Sequence, residues 1–199
     1  MTFYTSDLHL GHENIIKLCG RPFAHVAQMN EKLIENWNRK VKKLDTVYIL
    51  GDLFWNKATA RELLPRLAGK KILLVGNHDE SWVKDKELRA GFAEVELMIT
   101  RNLNCHPLTL CHYPLLEWHA SRKDGSRKLG YLVHGHIHNA MRPEYRFLFR
   151  KFNTLNAGVD INGFAPVTFE EMVENNLNYK LSRLTDEADI AYLKAQMSE

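Results

Sequence analysis

The chain has 199 residues, 45% hydrophobic and 26% charged, which suits a single soluble domain over 1–199 with a real core. Its formal charge of +3 is compatible with an anionic ligand without selecting one. The longest apolar runs, such as residues 72–75, are far too short to span a bilayer, so no membrane partner is expected. No basic segment precedes an apolar run at Met1, so no signal peptide is expected, and the expected location is cytoplasmic. Cys19, Cys105 and Cys111 show no zinc-like spacing and read as buried, reduced thiols.

In chain order, a strand is expected over residues 3–6, running into Ser6-Asp7-Leu8-His9. Asn30 is placed to cap a helix that carries Leu33, Ile34, Trp37 and Val41 on one face. A strand over 46–50 runs into Gly51-Asp52, and a helix over 58–67 follows. A strand over 71–75 leads to Gly76-Asn77-His78-Asp79, one over 108–111 to His112, and one over 131–133 to His134-Gly135-His136-Ile137-His138. A last strand is expected over 152–155. Thr168 and Glu171 have the spacing of a capping box, and residues 187–197 form a final amphipathic helix. "TVYIL" and "KILLV" are almost continuously apolar, as strands covered on both faces are. The alternation of strand and helix predicts a layered α/β sheet.

The polar residues share one position in this scheme. The first five of these six strands each deliver an Asp, Asn or His just past the C-terminal end, where α/β sheets bind ligands. One such residue alone would be a cap or a turn; five in phase argue for a site. Asp7, Asp52, Asn77, His9, His112, His136 and His138 make a mixed oxygen and nitrogen donor set. That set suits Mn, Fe, Zn, Co or Ni better than Mg or Ca. There are too many donors for one ion, and a carboxylate can bridge two, so a binuclear site is the economical reading.

"DLHLGH", "GD", "GNHD", "CHYP" and "GHIH", in this order, resemble the calcineurin-like metallophosphoesterase superfamily. The resemblance runs from Phe3 to about Pro166 and includes "NAGVD", and the opening resembles a small phosphoesterase branch of bacteria and phages. It implies a β-sandwich of two mixed sheets flanked by helices, with the metal site at strand C-terminal ends. It implies two divalent transition-metal ions, manganese foremost. Asp7, His9 and His138 would hold one, and Asn77, His112 and His136 the other, with Asp52 bridging. It also implies hydrolysis of phosphate esters by a water activated between the cations, with His78 assisting the leaving group. Asp79 is expected to orient His78 or to cap a helix.

Phosphodiesters, of nucleotide or nucleic-acid type, are slightly favoured as substrates because no large cap insertion is visible. The alternatives are a phosphomonoesterase, a non-catalytic interaction protein on the same fold, and a nucleic-acid-binding module with structural metals. His12 reads as a phosphate contact or an exposed loop residue, His134 as a supporting or core residue, and Arg21 as a phosphate-binding residue or, more simply, a surface-loop residue. The basic stretch 121–151 reads as a rim of the metal mouth or, more simply for any one residue, a solvated charged hairpin, with Trp118 and Tyr145 as stacking candidates that more simply pack in the core or the hairpin.

Overall fold

Strands β1 (Thr2–Thr5), β2 (Thr46–Ile49), β3 (Lys70–Leu74) and β4 (Glu94–Glu96) lie side by side in that order, all parallel. This computed structural model describes residues 1–122 and 128–197. Parallel neighbours need crossover connections. Helices α1 (Glu13–Cys19) and α2 (Val26–Lys40) join β1 to β2, and α3 (Lys57–Leu63) with a 3-10 turn at Leu64–Arg66 joins β2 to β3. The four-residue α4 (Lys86–Arg89) precedes β4.

Strands β1, β2 and β3 are apolar on both faces because each face meets a different layer. Phe3, Val47, Ile49 and Leu73 pack with Leu33, Trp37, Leu63 and Trp82 on the helical side. Tyr4, Tyr48, Leu50, Ile72 and Leu74 point the other way, against Leu108, Leu110, Val133 and Leu155 of a second sheet. That sheet runs β5 (Met98–Leu103), β6 (His106–Cys111), β7 (Tyr131–His134), β8 (Thr154–Asn156). Its first pair is antiparallel and the other two are parallel. The five-residue α5 (Arg146–Arg150) precedes β8. Helix α6 (Phe169–Arg183) contributes Phe169 and Met172 to the core between the sheets, and α7 (Glu187–Met197) ends the described chain. The molecule is a mixed α/β fold of two four-stranded sheets flanked by helices. No helix among the described residues is long and apolar enough to cross a membrane.

Several boundaries differ from the sequence reading. Helix α2 starts at Val26, capped by His25, whose Nδ1 accepts from the Gln28 amide at 3.2 Å. Asn30 is therefore inside the helix, and its Oδ1 accepts from Gly11 N at 2.9 Å instead. The helix expected over 58–67 narrows to a 3-10 turn after Leu63, because Pro65 lacks an amide and its ring crowds the preceding turn. The strand expected over 152–155 is Thr154–Asn156. The capping box forms as read: Thr168 Oγ1 accepts from Glu171 N and Glu171 Oε2 accepts from Thr168 N. Of the cysteines, only Cys111 is buried; Cys105 is exposed in the turn between β5 and β6.

Parallel pairing brings strand ends to one edge, and the two sheets meet there. Ser6, just past β1, bridges in parallel to Gly158, just past β8. Gly135 N donates to His112 O at 2.9 Å, carrying the β6–β7 pairing past the strand ends.

Candidate metal centre

The loops that leave β1 and β2 run on side by side. Asp7 N donates to Gly51 O, His9 N to Asp52 O and Leu10 N to Leu53 O, at 2.9–3.0 Å. Within these loops the backbone turns left-handed at Asp7 (φ 57°), His9 (φ 50°), Asp52 (φ 55°), His136 (φ 70°) and His138 (φ 50°). Side chains other than glycine enter this region at a cost of order 1–3 kcal/mol each, a strain that concentrates at functional sites. Two glycines make the approach possible. A Cβ on Gly51 would meet the His112 ring, and one on Gly135 would meet Ser6 and, at 2.6 Å, the Asp7 carboxylate.

These loops gather two groups of donors. The donor atoms of Asp7, His9 and His138 lie within 4.8 Å of one another. Opposite them, Asn77 Oδ1 is 3.1 Å from His112 Nε2 and 3.1 Å from His136 Nδ1. Asp52 stands between: its Oδ2 is 3.5 Å from His9 Nε2 and 3.6 Å from His112 Nε2. Its Oδ1 accepts from the His78 amide at 2.9 Å.

The donor set fits divalent cations on grounds independent of the motif. His9 is 1% exposed, and neither of its ring nitrogens has a hydrogen-bond partner. A buried unpaired polar atom costs roughly 1–3 kcal/mol, and a cation beside it removes that deficit. Burial, followed by the neighbouring cationic groups, holds the His9 pKa far below its usual range, so the ring is a neutral donor. His112 Nδ1 lies 2.7 Å from the Leu50 carbonyl. A carbonyl only accepts, so Nδ1 carries the proton and Nε2 turns its lone pair toward Asn77 and Asp52.

The sequence pattern of the family "calcineurin-like phosphoesterase" matches residues 3–176. The chain belongs to that family. Members use divalent metal ions, and the clustered Asp and His side chains are candidate ligands for them. An uncharacterized protein of Methanocaldococcus jannaschii is 36% identical over 178 residues, spanning 86% of this chain and 89% of its own length. The gene 66 protein of Mycobacterium phage L5 is 27% identical over 170 residues, spanning 70% of this chain and 78% of that protein. A crystal structure of a protein of unknown function from Aquifex aeolicus superposes with a TM-score of 0.63 at 29% identity, covering 87% of this chain and 98% of that one.

Around this calcineurin-like centre lie groups that the sequence did not reveal. Asp160, the last residue of "NAGVD", accepts from His138 Nδ1 at 2.9 Å. Burial opposes a charged His138, but the bonds to Asp160 and Cys19 outweigh it and raise the pKa to about 10. Asp160 also binds the guanidinium of Arg21, at 2.7 and 3.1 Å. Arg21 is not the surface residue expected. It is 4% exposed and donates to the Asp7 and Leu8 carbonyls, which braces the first ligand loop.

Asp79 also differs from expectation. Its carboxylate accepts from the amides of Asp52, Leu53 and Gly76, and among the described residues it makes no hydrogen bond to the His78 ring. Its side chain caps no helix; Asp85 caps α4. Asp79 is a positioning residue that ties the β2 loop to the β3 loop. Burial is the largest influence on it and raises its pKa to about 7.

His78 is partly exposed, its ring 5.1 Å from that of His9. His12 is not an exposed loop residue: it is 9% exposed and stacks on Trp55. His134 is fully buried against Lys180 and packs in the core, where burial lowers its pKa to about 4. Trp118 is buried and donates to Gly130 O, while Tyr145 sits in a short 3-10 turn. Three cations of the basic stretch are paired. Arg122 binds Glu117, and Arg146 and Arg150 bind Asp189 of α7. Lys123, Asp124 and Arg127 lie outside the described residues.

Proposed function

We propose that this chain is a binuclear metal-dependent phosphohydrolase. Asp7, His9 and His138 would hold one divalent transition-metal ion and Asn77, His112 and His136 the other, with Asp52 shared. One observation carries the reading: a single Asp52 oxygen lies 3.5 Å from a nitrogen of one donor group and 3.6 Å from a nitrogen of the other. The oxygen and nitrogen set is compatible with Mn, Fe, Zn, Ni and Co, and the family resemblance puts manganese first among them.

Bound there, the cations supply Lewis acidity to phosphoryl oxygens and acidify water. The chain's own residues do the rest. The Leu50 carbonyl and Asp160 hold the Nδ1 protons of His112 and His138, fixing tautomer and ring orientation. The Asp52 carboxylate fixes the His78 backbone, and the His78 imidazole stands free to deliver a proton to the departing oxygen. Arg21 neutralises Asp160 and clamps the carbonyls beside Asp7.

Phosphodiesters are the favoured substrates. Asn77 is exposed and His78 partly so, which leaves the donor groups open to a substrate that extends both ways. The basic stretch lends this preference less support than its composition suggests, because Arg146 and Arg150 are engaged by α7. The test is a hydrolysis panel after chelation and reloading with Mn, Ni, Zn or Mg. Bis-p-nitrophenyl phosphate should exceed p-nitrophenyl phosphate with Mn. A monoester preference with every metal would make the chain a phosphatase, and no turnover with any metal would favour a non-catalytic interaction protein.

A further inference from the structure

Trp55 is the single exposed tryptophan; Trp37 and Trp82 are 0% exposed and Trp118 8%, against 39% for Trp55. Its backbone is fixed. Trp55 N donates to Leu10 O at 2.9 Å, and Phe54 bridges in parallel to Leu10, so the residue extends the paired loops that carry Asp7, His9 and Asp52. One face of the indole is covered by His12, with centroids 3.7 Å apart and planes 9° apart. The His78 ring lies 5.2 Å from the indole centroid. His12 brings a second observation: Nδ1 of this nine-tenths-buried ring has no hydrogen-bond partner. A large aromatic, held rigidly and left half open beside the group assigned to the leaving oxygen, suits a flat ligand surface. Holding the platform in place beforehand removes much of the ordering entropy of stacking.

We propose that Trp55 is a specificity-determining platform that stacks a planar aromatic group, such as a nucleobase, on the His78 side of the scissile phosphate. The proposal rests on the phosphoesterase reading and names a feature of its substrate. Stacking of a base on an aromatic side chain accepts every base, because each presents a π face. The site would thus discriminate between phosphates with and without a base, and only weakly between bases.

The test uses Mn-loaded protein and two phosphates that differ by the base, adenosine 5′-monophosphate and ribose 5-phosphate. Binding is followed by calorimetry and, for wild type, by tryptophan fluorescence, to which Trp55 is the accessible contributor. Wild type should bind the nucleotide about tenfold or more tightly than the sugar phosphate, with fluorescence quenched by the nucleotide alone. Trp55→Ala should close that gap and leave ribose 5-phosphate binding as it was, and Trp55→Phe should keep most of the gap. An unchanged gap in Trp55→Ala would overturn the proposal. So would equal loss of both ligands in Trp55→Ala, since Trp55 would then be supporting His12 and the ligand loop. Wild type that hydrolyses p-nitrophenyl esters but binds neither phosphate would also overturn the proposal, whereas wild type that does neither would remove the phosphoesterase reading beneath it.

Discussion

Replacing Asp52 and replacing His78 separates holding the metals from using them. Asp52 touches both donor groups, so Asp52→Ala should lose bound metal and activity together. His78 meets the centre through its amide and its position, and His78→Ala should keep the metals while activity falls about 10²–10⁴-fold. Metal analysis beside kcat decides this; an emptied site in His78→Ala and a filled one in Asp52→Ala would reverse the roles. Asp160 makes a third case. It touches no substrate, yet it holds the Nδ1 proton of His138 and the Arg21 guanidinium. Asp160→Ala should weaken metal affinity about 10–100-fold, the usual effect of removing a ligand's hydrogen-bonded support. A titration showing unchanged affinity would make Asp160 purely structural. The seven candidate donors stand out in the sequence because each follows an apolar strand within a few residues. Asp160 and Arg21 do not, because their partnership spans 139 positions and no local spacing records it.

At the scale of elements, legibility followed burial. Strands β1, β2, β3, β6 and β7 are apolar runs enclosed in the core and were readable as such. Strand β4 reads EVE and β5 reads MITRNL; both are largely solvated, so pairing rather than composition makes them strands. Their sequence lacked the expected turn signal as well. The β5–β6 turn places Asn104 and Cys105 at φ 50° and 64°, a left-handed pair usually advertised by glycine. Helix α2 hid its start behind a histidine cap. Helix α6 carries a feature of its own, Lys180, which is 5% exposed and donates to the Lys151 and Thr154 carbonyls and to Thr154 Oγ1. Burial pushes its pKa down to about 7 from the ordinary value of 10.5. Between those values the unfolded chain holds a proton that the folded chain has released, so this residue makes stability rise with pH across that window. Its contribution is full above pH 10.5 and is lost as pH falls through about 7. In Lys180→Met, which removes the titration and the hydrogen bonds, the stability deficit relative to wild type should therefore be larger near pH 10 than near pH 6. Denaturant melts at the two values check it, and a deficit independent of pH would mean that Lys180 stays charged in the fold.

Across the whole molecule, the candidate ligands are drawn from loops after β1, β2 and β3 of one sheet and β6 and β7 of the other. The cations would therefore act as cross-links between the two sheets, added to their apolar packing, the Ser6–Gly158 bridge, the His112–Leu50 hydrogen bond and the Arg101–Glu94 ion pair. Five of the seven candidate ligands sit in left-handed backbone, and His9 has two unpaired nitrogens at 1% exposure. A ligand that binds only the folded state stabilises it by RT ln(1 + [L]/Kd), about 2.7 kcal/mol at a hundredfold excess over Kd. For a domain of this size that corresponds to a rise in Tm of roughly 5–10 °C. Calorimetric melts of chelated and Mn-reloaded protein at pH 7.5 should show this rise, with two ions bound per chain. The ligands must be deprotonated to bind, so the rise should shrink as pH falls and the histidines protonate. Asp52→Ala should show little of it at any pH. A saturating stoichiometry of one ion per chain would refute the shared-carboxylate arrangement, and equal Tm with and without Mn would show that the two sheets do not depend on the centre between them.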